Sequence, residues 1–106
     1  MAIIPFENQF KGTISYTGTN YFGWQRQINK ISVQERIENV FFKLWKKDQT
    51  IFGSSRTDAG VHALGQVIRF SAPIKYDLIF LKKLINDNMP NDIYFKEIEY
   101  TDLSFE

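Results

Sequence analysis

The sequence has no cysteine, a single histidine (His62) and only three prolines in 106 residues. Without thiols a disulfide framework is excluded, and one histidine leaves too few ligands for a typical zinc site. No apolar run approaches the roughly 20 residues that cross a bilayer, and Met1-Ala2-Ile3-Ile4-Pro5 lacks the basic and apolar regions of a signal peptide. The expectation is a soluble, cytoplasmic chain whose chemistry rests on carboxylates, hydroxyls and cations. What is present, 43% hydrophobic and 24% charged residues, suits one compact domain spanning 1–106. At this length folding buries roughly two-thirds of the exposable surface, enough for one core and too little for two.

Charge is unevenly spread. Residues 1–83 carry 12 Lys/Arg against 6 Asp/Glu, whereas after residue 83 only Lys96 opposes Asp87, Asp92, Glu97, Glu99, Asp102 and Glu106. The net of +1 therefore sums a basic stretch and an acidic tail. Such asymmetry permits a basic face for a polyanion and equally a mixed solvated surface.

From Phe10 to Thr17, Phe10, Gly12, Ile14 and Tyr16 alternate with Lys11, Thr13, Ser15 and Thr17, the period of a half-buried strand. A Gly- and aromatic-rich loop follows through Gln27. Ser32-Val33-Gln34-Glu35 reads as a capping box opening a helix to about Lys47, with Val33, Ile37, Val40, Phe41, Leu44 and Trp45 on one stripe. Short strands at Thr50–Gly53 and Gln66–Ser71 flank a polar loop. Asp77 caps a second helix carrying Leu78, Leu81, Leu84 and Ile85, which Pro90 stops. Leu44, Trp45, Leu81 and Leu84 are assigned to the core. Ile93 to Tyr100 is a last strand whose apolar residues change face midway, predicting a bulge or an edge position. The order βαββαβ predicts an α+β, ferredoxin-like fold, four antiparallel strands with two helices on one face. That topology hosts RNA-binding modules, metabolite sensors and enzymes alike.

Arg56-Thr57-Asp58-Ala59-Gly60-Val61-His62-Ala63 is the most unusual segment, with a cation, a hydroxyl, a carboxylate and an imidazole in one loop between strands. Asp and Gly are also default turn residues, so a purely structural turn with an Arg56–Asp58 ion pair stands beside a catalytic reading. Arg56 would favour the ionised carboxylate, the form needed for a nucleophile.

Tyr16-Thr17-Gly18-Thr19-Asn20-Tyr21-Phe22-Gly23-Trp24-Gln25-Arg26-Gln27, Ser32-Val33-Gln34, the Arg56–Ala63 segment, Gly65-Gln66-Val67 and Met89-Pro90-Asn91-Asp92-Ile93 together resemble the N-terminal half of the tRNA pseudouridine synthase A family. The resemblance implies a cofactor-independent isomerase, a homodimer, that converts uridine to pseudouridine in the anticodon stem-loop of tRNA (positions 38, 39 and 40). It places the essential carboxylate at Asp58. It gives Arg56 the roles of base flipping and pairing with that carboxylate. Arg26 and Lys75 are candidate phosphate contacts, Tyr21, Phe22 and Trp24 a stacking platform or packing, and His62 a support for the loop. Thr17, Tyr21 and Ser55 depart from the family's usual aspartate, phenylalanine and glycine. The family is about twice as long, so the chain is expected to be its catalytic-aspartate half, with the second half absent and little activity alone. The rival expectation is a non-enzymatic ferredoxin-like RNA-binding module, which should carry exposed aromatics on its central strands; the third strand offers only Phe70.

Overall fold

The computed structural model describes residues 4–17, 32–53 and 63–101. They form β1 (Asn8–Tyr16), α1 (Val33–Trp45), β2 (Phe52–Gly53), β3 (Ala63–Ala72), α2 (Leu78–Asn88) and β4 (Ile93–Thr101). The α+β expectation holds. The strands run antiparallel in the order β2-β3-β1-β4, with three long members and a β2 of two residues, Phe52 opposite Arg69 and Gly53 opposite Ile68. Four antiparallel strands were expected, one of them a short run at Thr50–Gly53; among the described residues that run pairs only through Phe52 and Gly53.

The alternation of β1 decides which face is buried. Phe10, Gly12, Ile14 and Tyr16 point inward, opposite Phe70, Ile68 and Gln66 of β3, and they share one core with Ile37 and Phe41 of α1 and Leu81 and Ile85 of α2. Both helices therefore cover the same side of the sheet. Phe41 sits at the centre, its ring 4.8 Å from that of Phe70 and 6.2 Å from that of Phe95. Leu81 is fully buried, Leu44 and Trp45 pack against the core half-buried, and Leu84 is half-buried outside it. Leu84 was expected inside; Leu81 and Ile85 already fill the stripe of α2 that faces the sheet.

β4 realises both alternatives read from its broken alternation: it is an edge strand, and its register with β1 shifts between Thr13 and Ile14. Thr13 faces Glu97 and Ile14 faces Phe95, so Lys96 is the extra residue. The shift puts Ile98 opposite Gly12 and Tyr100 opposite Phe10, on the same face as Phe95 and Ile93. One inserted residue thus keeps all four apolar side chains on the helix side.

The helix ends follow the local chemistry. Ser32 Oγ accepts from the Glu35 amide at 3.1 Å and Asp77 Oδ2 from the Phe80 amide at 3.0 Å, each satisfying an orphan donor of a first turn. α1 ends at Lys46, a residue in the left-handed region at φ 60° whose amide donates to the Phe42 carbonyl. α2 ends at Met89, held extended by the following Pro90.

Candidate functional site

The sheet brings two chain segments to one end. Residues 18–31 join Thr17, just after β1, to Ser32, the cap of α1; residues 54–62 join Gly53 of β2 to Ala63, the first residue of β3. Tyr16 and Ala63 are register partners, so one segment begins next to where the other ends. The Thr17 amide donates to the Asp92 carbonyl at 2.9 Å, tying this end of β1 to the start of β4.

Buried polar side chains fix this frame. Tyr16, 4% exposed, donates its hydroxyl to Gln66 Oε1 at 2.8 Å, and Gln66 is itself 3% exposed. Glu38, on α1 and buried, accepts from the Ile51 amide and from Gln34 Nε2, both at 3.1 Å, while Gln34 Nε2 also lies 3.2 Å from the Ile51 carbonyl. The two side chains grip both polar groups of one backbone residue just before β2. Gln49 does the same to β3: its amide nitrogen donates to the Ser71 carbonyl and its oxygen accepts from the Ser71 amide, each at 2.9 Å. A side-chain amide thereby continues the ladder where β2 is too short to do so. The chain leading into residues 54–62 is thus held from the helix side and from the sheet side.

A tRNA pseudouridine synthase family model matches residues 13–106. The chain belongs to this family. Relatives include tRNA pseudouridine synthase A of Thermodesulfovibrio yellowstonii, 50% identical over 90% of this chain and 37% of its own length. The enzymes of that name from Caldicellulosiruptor saccharolyticus and Clostridium kluyveri are 45% and 43% identical, over 88% and 90% of this chain and 38% and 39% of theirs. The chain therefore spans less than two-fifths of the length of these synthases.

Within the family frame, the expected site residues fall into two groups. Asp58, Arg56 and Arg26, with Tyr21, Phe22, Trp24 and His62, lie outside the described residues. Lys75 is described and exposed, three residues past the end of β3, with Nζ 5.4 Å from the centre of the Tyr100 ring. Ala72 pairs with Asn8, at the opposite end of β1 from Tyr16. At roughly 3.3 Å per residue the two ends of β3 are about 30 Å apart, so the sheet does not bring Lys75 to the end where residues 18–31 and 54–62 attach.

Gln34, Glu38, Gln49 and Gln66 are the frame residues that polarity alone assigns to solvent. One sequence signal points to two of them: Gln34 and Glu38 are four apart and border the apolar stripe of α1. Among the described residues no group of three potential metal ligands occurs, and no helix is long and apolar enough to cross a membrane.

Proposed function

We propose that this chain is the aspartate-bearing part of a tRNA pseudouridine synthase acting on uridines of the anticodon stem-loop, with Asp58 as its essential carboxylate. The observation that carries the proposal is the family match over residues 13–106, which includes the Arg56–Ala63 segment. In the reaction the C1′–N1 glycosidic bond breaks, the uracil turns in place, C5 bonds to C1′, the C5 proton leaves to solvent and N1 gains a proton. Each route open to Asp58, attack on the sugar, attack on the base or proton abstraction, needs an ionised carboxylate held beside the ribose. Arg56 pairs with it and fills the stack vacated by the flipped nucleotide, tasks for which a planar cation is suited. Arg26 and Lys75 contact phosphates of the RNA backbone, Lys75 from beyond the end of β3 opposite to the one that residues 54–62 join. The whole enzyme acts in the cytoplasm as a homodimer, and the 106-residue chain alone has little or no synthase activity.

The rival reading, a non-enzymatic RNA-binding module, expects stacking aromatics on the open face of the central strands. Phe70 is not one of them: it is 4% exposed and faces the helices. The open side of β1 and β3 carries Lys11, Thr13, Ser15, Val67 and Arg69 instead.

The test is a chimera in which residues 13–106 replace the matching part of the Thermodesulfovibrio relative. Tritium release from C5 of uracil in tRNA is expected from the chimera and is expected to vanish in Asp58→Ala while tRNA binding persists. A chimera that binds tRNA without releasing tritium would instead favour the module.

A further inference from the structure

We propose that the cleft between α1 and the end of α2 binds a phosphate group carried by RNA, on the helix side of the sheet; RNA as the carrier rests on the synthase reading above. The cleft holds about 400 Å³, within the roughly 300–1,000 Å³ of ligand sites. Its α1 wall is made by Arg36, Asn39 and Lys43, whose spacing of three and four residues puts them on one face of the helix. This polar stripe is separate from the apolar stripe that meets the sheet. Val40 and Met89, both buried, give the cleft an apolar part.

One donor there lacks an acceptor. Arg36 Nε is buried and makes no hydrogen bond among the described residues. A buried donor left unmatched is costly, and in a folded chain it calls for an explanation. A purely structural explanation is that Arg36 and Lys43 complement the negative end of α2. The last-turn carbonyls are otherwise engaged, however: that of Leu84 accepts from Asn88 Nδ2 at 2.9 Å and that of Asn86 from the Met89 amide at 3.2 Å. Asp87, the one carboxylate lining the cleft, pairs with Lys83 at 3.0 Å. Neither Arg36 nor Lys43 enters an ion pair among the described residues. A phosphate oxygen supplies the acceptor that Nε lacks, since a guanidinium takes phosphate oxygens in pairs and an ammonium adds a point charge. The two cations are about 10 Å apart along the helix, a gap that their long side chains close over one phosphate.

The position of the cleft favours RNA as the carrier. Arg36 lies one turn after Ser32, where residues 18–31 join α1, and Pro90 lies two residues before Asp92, whose carbonyl holds the Thr17 amide. The cleft is therefore at the end of the sheet where residues 18–31 and 54–62 attach. A polyanion bound at that end brings closely spaced phosphates past it.

The direct test titrates the 106-residue chain with inorganic phosphate at constant ionic strength, following the Arg36 Nε–H and Asn39 side-chain amide signals by nuclear magnetic resonance. A saturable shift is expected with phosphate and none with chloride. Arg36→Met and Lys43→Met should each weaken binding by about 10-fold or more. Asp87→Asn removes the cleft's negative charge and should tighten it. Weaker binding in Asp87→Asn, or a shift that does not saturate and shows an adventitious ion only, would overturn the proposal. The carrier is tested by titrating tRNA onto the chimera at several salt concentrations. Arg36→Met is expected to raise the Kd by about 10-fold and to reduce the salt slope by about 1, with the melting temperature little changed. An unchanged Kd and slope would overturn RNA as the carrier and assign the site to a free phosphate compound. A chimera that releases no tritium would overturn the synthase reading, while the phosphate titration of the 106-residue chain stands apart from it.

Discussion

Gly12 lies mid-strand between two aromatic rings. A Cβ there would come within 3.1 and 3.2 Å of Phe95 carbons and 3.5 Å of a Phe70 carbon. Phe95 is fully buried and hemmed in by Phe41 and Phe70, so it has little room to give. Alanine elsewhere in a strand would gain about 0.5–1 kcal/mol over glycine; here overpacking outweighs that gain. Gly12→Ala is expected to destabilise the chain by about 1–3 kcal/mol in urea unfolding monitored by circular dichroism. The same scale governs Glu38. Glu38→Ala would leave the buried Ile51 amide without its carboxylate, an expected loss of about 1–3 kcal/mol. Glu38→Gln keeps an acceptor oxygen and should lose distinctly less in the same measurement. Both changes are judged by burial and partners, since neither residue's importance is visible from its type.

At the scale of elements, the ends and edges carry the specificity. Lys46 ends α1 with φ 60°, a conformation that strains any side chain and suits glycine. Lys46→Gly is therefore expected to raise stability by up to about 1 kcal/mol, seen as a higher urea midpoint with an unchanged slope. Two open stretches of the sheet are each covered in part by a side-chain amide: Gln49 pairs with Ser71 of β3, which runs on past the two-residue β2, and Asn86 of α2 pairs with Phe95 of the edge strand β4 through both its amide groups, at 2.8 and 3.0 Å. These contacts occupy backbone groups that would otherwise offer a template for strand addition. Lys96 has a different task. Deleting it would leave Phe95 and Ile98 two residues apart, on the same face of a regular strand, because a strand has a period of two. The deletion is therefore expected to keep a cooperative thermal transition, whereas inserting one further residue between Phe95 and Glu97, which the ladder would have to absorb in a wider bulge, should lower the melting temperature.

At the scale of the molecule, one aromatic network joins every long element. Phe10, Phe41, Phe70 and Phe95 meet at the centre, and Trp45, Tyr76 and Tyr100 extend the network to the far end of the sheet. Trp45 donates its indole N–H to the Tyr76 hydroxyl at 3.0 Å, and the Tyr100 hydroxyl donates to the Tyr76 carbonyl. With a single core, loss of its hub should be felt everywhere. Phe41→Ala is expected to cost about 3–5 kcal/mol, a large part of the roughly 5–15 kcal/mol that holds a domain together. Heating followed by far-ultraviolet dichroism and by tryptophan fluorescence should show coincident transitions in the parent and a melting point lower by well over 10 °C in the variant, at about 4–8 °C per kcal/mol.

Local chemistry made much of this fold legible. Ser32 and Asp77 announce helix starts because a short oxygen-bearing side chain satisfies first-turn amides wherever it occurs. The period of β1 named its buried face, and the broken period of β4 announced a bulge, since side-chain alternation is a property of the strand itself. The Arg56–Ala63 motif pointed to the family for the same reason: its meaning lies in residue types and spacing. The sequence could not assign Gln34, Glu38, Gln49 and Gln66 their partners, because each bonds a group that is distant along the chain or on another element, and a polar residue alone reads as solvent-facing. Nor could it place Lys75 at the opposite end of the sheet from the attachment of residues 54–62, since that depends on which end of β3 each connection leaves. Sequence by itself determined the elements, the buried faces and the family. Only the tertiary structure decided which polar groups hold the frame, because hydrogen bonds between distant residues exist only once packing brings them together.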